Sequence, residues 1–345
     1  MTKKITAFTA GWLYSFIHFS VEVACFYFLF SRISASPHWW ALAMLFDALA
    51  FLPQSFFGIL SDKYPHLPYG FIGCAMLLLS LLLPFDLLAL TVLGIGNALA
   101  HIDGAQHTLR NNRAKMTPNA VFVGGGSFGV ITGQLLGALK VDALVLIPLL
   151  LTAISAVLAI FVTKAHNVDI EKSEEHLPLG ITVEMPDSLL IVLMLFAVSI
   201  RSYVAYAIPI EWKKNTLQAI ALFSFMGLGK GLGGVFADTL GFRKTTYLSL
   251  LIALPFLLFG NSVMALSLVG IMLFSMTMPV TVGVLVSKFP DKPGFAFGIT
   301  TVGLFLGVVP EFFFTLPSLF AHQIAVLLLS AIALISILVC LKRRV

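Results

Sequence analysis

Twelve stretches of about twenty mostly apolar residues, parted by short polar interruptions, constrain this chain more than any other feature. They cover 7–31, 39–60, 68–85, 87–109, 119–139, 143–163, 188–210, 216–237, 245–261, 264–286, 294–316 and 320–341. Each is long enough to cross a bilayer as a helix, where every backbone N–H and C=O finds its partner within the segment. Apolar residues are 59% of the 345 and charged residues 11%, with a mean hydropathy of +1.00. A soluble domain carries about a quarter charged residues and has no interior for so much apolar surface. The chain therefore reads as an all-α polytopic membrane protein. Met1 to Lys4 precede an apolar run reaching about Phe30, which is too long for a cleavable signal of roughly 7–15 apolar residues and reads as the first spanning helix.

One connection alone is long and polar, Lys164 to Asp187, with Glu171, Lys172, Glu174 and Glu175. It divides the chain into six helices (1–163), a linker (164–187) and six more helices (188–345). Basic residues favour cytoplasmic loops. With the N-terminus inside, the cytoplasmic side takes Lys3, Lys4, Lys63, Arg110, Arg113, Lys115, Lys164, Lys172, Arg243, Lys244, Lys288, Lys292, Lys342, Arg343 and Arg344. Only Arg32, Lys140, Lys213 and Lys214 fall outside, fifteen against four. Both termini are expected in the cytoplasm and the chain in a cell (inner) membrane. The pI near 9.1 follows from these clustered loop charges, and no basic face suited to nucleic acid is present.

The halves repeat each other. Gly58-Ile-Leu-Ser-Asp62-Lys63 matches Gly234-Val-Phe-Ala-Asp238 at an offset of 176, and Gly129 with Gly133 matches Gly303 with Gly307 at 174. Parallel six-helix repeats place a substrate site between them near the midplane. Ionisable residues at bilayer depth are costly and mark candidate functional positions. Here they are Glu22, Asp47, His101, Asp103, Arg201, Lys230 and Glu311, and the third, sixth, ninth and twelfth segments have none in their cores.

His18 and Glu22 are spaced i, i+4 on one helix face, where they can share or exchange a proton. Glu22 either carries a coupling proton with His18 and Asp47 or holds a structural ion pair. Arg201, mid-span, either binds an anionic substrate through its planar fork or holds a carboxylate of the other half. His101 is a candidate substrate neighbour or a packed histidine. Asp103 is grouped with it near the substrate, although with His107 it lies nearer the cytoplasmic end, where a solvated role is expected. Asp47 and Glu311 lie in outer thirds and suit an external gate. Lys230, within two turns of the cytoplasm, is expected to snorkel.

Gly234-Val-Phe-Ala-Asp238-Thr-Leu-Gly241-Phe-Arg243-Lys244 resembles the major facilitator superfamily signature G-x-x-x-D-x-x-G-x-R-K. The first-half copy keeps Gly58, Asp62 and Lys63 but has Pro65 for the second glycine. The resemblance implies the major facilitator fold, twelve transmembrane helices as two six-helix repeats. It also implies a cytoplasmic gate involving Asp62, Asp238, Gly241, Arg243 and Lys244. Gly124-Gly-Gly-Ser-Phe-Gly129-Val-Ile-Thr-Gly133-Gln134 is similar to the drug exporters' antiporter motif, with Gln134 in place of proline, and implies a gating role for Gly129 and Gly133. Gly94-Ile-Gly-Asn-Ala-Leu-Ala-His101 and Pro293-Gly294-Phe-Ala-Phe-Gly298 resemble segments of fosmidomycin-resistance-type exporters.

The expected function is secondary transport of a small organic molecule by alternating access, as proton-coupled efflux from a monomer. The rival within the class is uptake or facilitated diffusion of an anionic metabolite; a transport-dead membrane sensor is the alternative of another class. Gly125-Gly-Ser127-Phe-Gly129 copies a nucleophile-elbow pattern, but within a helix and without strand or partners, so no enzyme is expected. Gly229-Lys-Gly231-Leu-Gly-Gly234 lacks the preceding strand of a nucleotide site. No His/Cys spacing suggests a metal, Cys25, Cys74 and Cys340 lie in apolar stretches, and no cofactor is expected.

Overall fold

The computed structural model describes residues 7–110, 115–165, 181, 183–208, 210–314 and 316–341. Eleven helical spans among them are long and apolar enough to cross a membrane. They are α1 (Phe8–Ile33), α2 (Trp39–Lys63), α4 (Asp86–Arg110), α5 (Thr117–Ala138), α6 (Asp142–Lys164), α7 (Asp187–Ala207), α8 (Thr216–Leu240), α9 (Phe242–Phe259), α10 (Met264–Lys288), α11 (Pro293–Phe312) and α12 (Leu319–Cys340). A shorter apolar helix, α3 (Tyr69–Leu82), completes twelve. No strand occurs among the described residues. The chain is a multi-pass membrane protein. The polar connection 164–187 lies largely outside the described residues, as do Lys3, Lys4, Arg113, Lys172, Lys342, Arg343 and Arg344 of the charge count.

The elements depart from the expected boundaries where backbone chemistry intervenes. The expected 68–85 ends at Leu82, because Leu83 turns extended (ψ 134°) ahead of Pro84. The last turn of α11 is a 3-10 turn over Val309–Phe312, with Pro310 in it, instead of a helix running to 316. α8 runs to Leu240 rather than 237 and is stopped by Gly241, whose φ of 85° is the left-handed region that side chains rarely adopt. No neighbouring atom would meet a Cβ there, so conformation alone demands the signature glycine.

α1 and α5 pack through glycine. Gly125, Gly129, Gly133 and Gly137 recur every fourth residue on α5, and a Cβ on each would strike Ser15, Phe19, Val23 and Tyr27 of α1 in turn. Without competing water, such close backbone approach is what holds membrane helices together. Gly133→Val is expected to destabilise the fold by about 2 kcal/mol or more by overpacking, lowering the melting temperature in detergent. Gly231→Ala, with nothing within 4 Å of its would-be Cβ, is expected to leave it unchanged.

Packing between the first six and last six helices follows the sequence repeat: α2 lies along α11, α5 along α8, and α4 also touches α11. α3 packs on α4 and α6, and α12 packs on α7 and α9, away from that seam. Arg32 grips the Asp86 carboxylate (2.9 and 2.5 Å) and the Leu83 carbonyl, tying the end of α1 to the start of α4.

Candidate functional site

Two carboxylates close one end of the seam in related ways. Asp62, at the end of α2, accepts the backbone N–H groups of Gly294 (2.9 Å) and Phe295 (2.8 Å) at the start of α11, and Arg110 at 3.2 Å. Asp238, at the end of α8, accepts the N–H groups of Met116 (2.7 Å) and Thr117 (2.9 Å) and the Thr117 hydroxyl (2.6 Å) at the start of α5. The first N–H groups of a helix lack intrahelical partners and lie at its positive dipole end, so a carboxylate there is doubly favoured. Glycine permits the approach: a Cβ on Gly58 would meet the Gly294 backbone, and one on Gly234 would meet Met116, Thr117 and Ala120. Arg243 donates instead to the Leu341 carbonyl beyond α12 (2.6 Å), and Lys244 is exposed.

Gly129 and Gly133 face α1. The glycines that let α5 approach α8 are Gly124 and Gly227, whose would-be Cβ atoms each lie 2.9 Å from the other's carbonyl oxygen. An apolar groove of about 480 Å³ opens beside this contact, lined by residues such as Trp12, Phe16, Phe128 and Leu228.

The interior holds a buried polar cluster. Glu22 Oε1 lies 3.5 Å from His18 Nε2 and 3.3 Å from His101 Nε2, and the two Nε2 atoms are 2.8 Å apart. All three residues are at most 9% exposed. His18 Nδ1 is 2.9 Å from the Phe122 carbonyl oxygen, and His101 Nδ1 is 2.9 Å from that of Asn97. A carbonyl oxygen only accepts, so both Nδ1 atoms carry hydrogen, and in a neutral ring the Nε2 atom then presents a lone pair. The Asn97 amide reaches Glu22 Oε1 and Cys25 Sγ, each at 3.4 Å. Gly126 and Gly129 leave room for the cluster, since Cβ atoms there would collide with the His18 ring and Glu22 Cβ. The i, i+4 spacing announces His18 with Glu22; His101 joins them from α4, which no spacing announces.

Asp103 and His107 are 1% and 2% exposed, so the solvated setting expected for them is not what the fold provides. Tyr14 donates to Asp103 Oδ2 at 2.8 Å and stacks on His107 with ring centroids 5.5 Å apart. α1 and α4 pack so closely that water is replaced by the phenol.

Arg201 on α7 makes no hydrogen bond or ion pair with any described residue, and its Nε is buried without a partner. Lys230 does not reach toward the helix end as expected. Its Nζ donates to Ser127 Oγ of α5 at 2.9 Å, within electrostatic reach of Arg201 and Glu22. Asp47 and Glu311 also lack hydrogen bonds among the described residues, and both act electrostatically on the Tyr206 hydroxyl. Trp40 meets Phe313 edge-on at 6.3 Å between α2 and α11.

No family model matches the sequence, and no curated protein matches it significantly. Solved structures do match the fold along nearly its whole length. A bacterial homologue of the iron transporter ferroportin, in an outward-facing state, has a TM-score of 0.60 at 13% identity, covering 97% of this chain and 98% of that one. The Escherichia coli fucose:proton symporter FucP gives 0.62 at 10%, covering 98% and 100%. FucP as a major facilitator superfamily transporter in the outward conformation gives 0.59 at 11%, covering 96% and 98%. At such identities the likeness is one of fold: this chain has the major facilitator fold.

Proposed function

We propose that this chain is a secondary active transporter in which two six-helix bundles, 1–163 and 188–345, joined by the linker 164–187, rock about a central site. The paired carboxylate latches carry this reading. Asp62 of α2 against α11 and Asp238 of α8 against α5 are equivalent contacts at the same end of the seam. They bond the halves together without covalent closure, as a joint that opens and recloses must. The latched end is the cytoplasmic one by the charge count, in keeping with the likeness to outward-facing structures.

The cargo is a small organic anion. A guanidinium without a counter-ion is expensive inside a protein, and an incoming carboxylate or phosphonate supplies the missing charge. His101 belongs with the Glu22 cluster, Asp103 is held by Tyr14 between α1 and α4, and Asp47 and Glu311 serve the opposite gate. The coupling cation enters the acceptor cluster of Glu22 and His18; the proton is the first cation to test. The resemblance of α4 and α5 to drug exporters favours export.

Reconstitution in liposomes with a pH-sensitive dye, offering small carboxylates, phosphonates and neutral lipophiles, tests this reading. Substrate-driven proton movement is expected with anions and lost in Glu22→Gln. Flux of neutral compounds alone, or coupling untouched in Glu22→Gln, contradicts it.

A further inference from the structure

We propose that His18, Glu22 and His101 form a binding site for a divalent transition-metal ion of the Zn²⁺ or Co²⁺ class. The inference rests on reading this cluster as a cation site of the transporter, where a metal ion and a proton compete for the same acceptors.

The donor atoms already converge. The three separations of 2.8, 3.3 and 3.5 Å lie on a circle of radius about 1.9 Å, so a point about 2.1 Å from all three donors, the usual metal–nitrogen length, stands about 1 Å off their plane. Ring rotations of tenths of an ångström bring the closest pair to the spacing of two ligands on one ion.

The second shell is equally specific. Metal-bound histidines commonly donate their other ring N–H to a carbonyl, which fixes the tautomer and aims the free lone pair. Both histidines do so here, to Phe122 and Asn97, leaving their Nε2 lone pairs pointing at each other and at a carboxylate oxygen. Three acceptors facing one another need a positive centre among them. One proton bridges two of them well, whereas a metal ion satisfies all three.

Two imidazoles and one carboxylate suit borderline divalent ions and disfavour Mg²⁺ and Ca²⁺, which take oxygen shells. The Asn97 amide donates to Glu22 Oε1 and to Cys25 Sγ, steadying the carboxylate and setting a thiol beside the cluster.

Titrating the purified, detergent-solubilised chain with Co²⁺ and recording visible d–d absorption tests the site without transport. About one Co²⁺ per chain is expected, displaced by Zn²⁺ and not by Mg²⁺. Affinity should fall at least tenfold in Glu22→Gln and in His101→Gln, and persist in His322→Ala, which removes a half-buried histidine at the start of α12. Gel-filtration profiles matching wild type establish that the variants are folded. Should His101→Gln fail to fold, Glu22→Gln decides the matter. No Co²⁺ bands in the folded wild type, or bands unaltered in Glu22→Gln, overturn the metal site. That outcome leaves alternating access standing, because the latches are tested separately.

Discussion

Arg201→Ala is expected to lower anion transport about a hundredfold while leaving the empty protein as stable as before, or more so. The two effects have opposite signs for one reason. Within the protein the guanidinium has no hydrogen-bond or ion-pair partner among the described residues, so removing it sacrifices no contact and relieves an uncompensated charge. With cargo bound, the same group makes charge-assisted, two-pronged bonds, and losing a partly buried pair of this kind costs about 3 kcal/mol, roughly a hundredfold. Arg201→Lys keeps the charge but not the fork and should fall between. Tracer flux together with thermal unfolding decides: anion should raise the wild-type melting temperature and not that of Arg201→Ala. A variant that loses stability and transport together would make Arg201 a structural residue.

The second large effect is expected at the latches. Asp62→Ala removes the acceptor of two helix-terminal N–H groups and of Arg110, and Asp238→Ala that of two N–H groups and a hydroxyl. Each loss should cost the closed end about 1.5–3 kcal/mol. The double variant thus shifts the opening equilibrium by about a hundredfold or more. Cysteine reactivity along the seam next to Gly58 and Gly234 should rise accordingly. Single variants should each give a smaller shift of the same sign, because the latches act on one rigid-body motion. Unchanged reactivity in the double variant would mean that glycine packing alone holds the end shut.

Much of this arrangement is legible in the chain because the bilayer imposes simple rules. Twelve apolar spans follow from hydrocarbon thickness, and Asp62 and Asp238 stand out through an exact sequence offset. Gly241 is legible too, since only glycine readily takes its positive φ. Contacts between distant helices leave no such period. Nothing in the spacing of His101 points to His18, and nothing around Asp103 says that Tyr14 will exclude water from it. Lys230 shows the same limit: its distance from the loop suggests snorkelling, but the glycines of α5 and α8 bring Ser127 within reach and keep the amine inside. The resemblance implies a gating role for Gly129 and Gly133, whereas the fold packs both against α1 within the first six helices. That choice depends on which face of α5 meets α1, a tertiary fact.

Alternating access is tested most directly by two distances in one chain, measured between spin labels in liposomes. One pair, at Lys63 and Lys292, spans the latched end between α2 and α11; the other, at His38 and Phe314, spans the opposite end. With cargo and cation cycling, the first distance should lengthen in the same population in which the second shortens, and Asp62→Ala with Asp238→Ala should enlarge that population. Distances that stay fixed under every condition, or that lengthen together, would contradict a transporter that rocks between two closures.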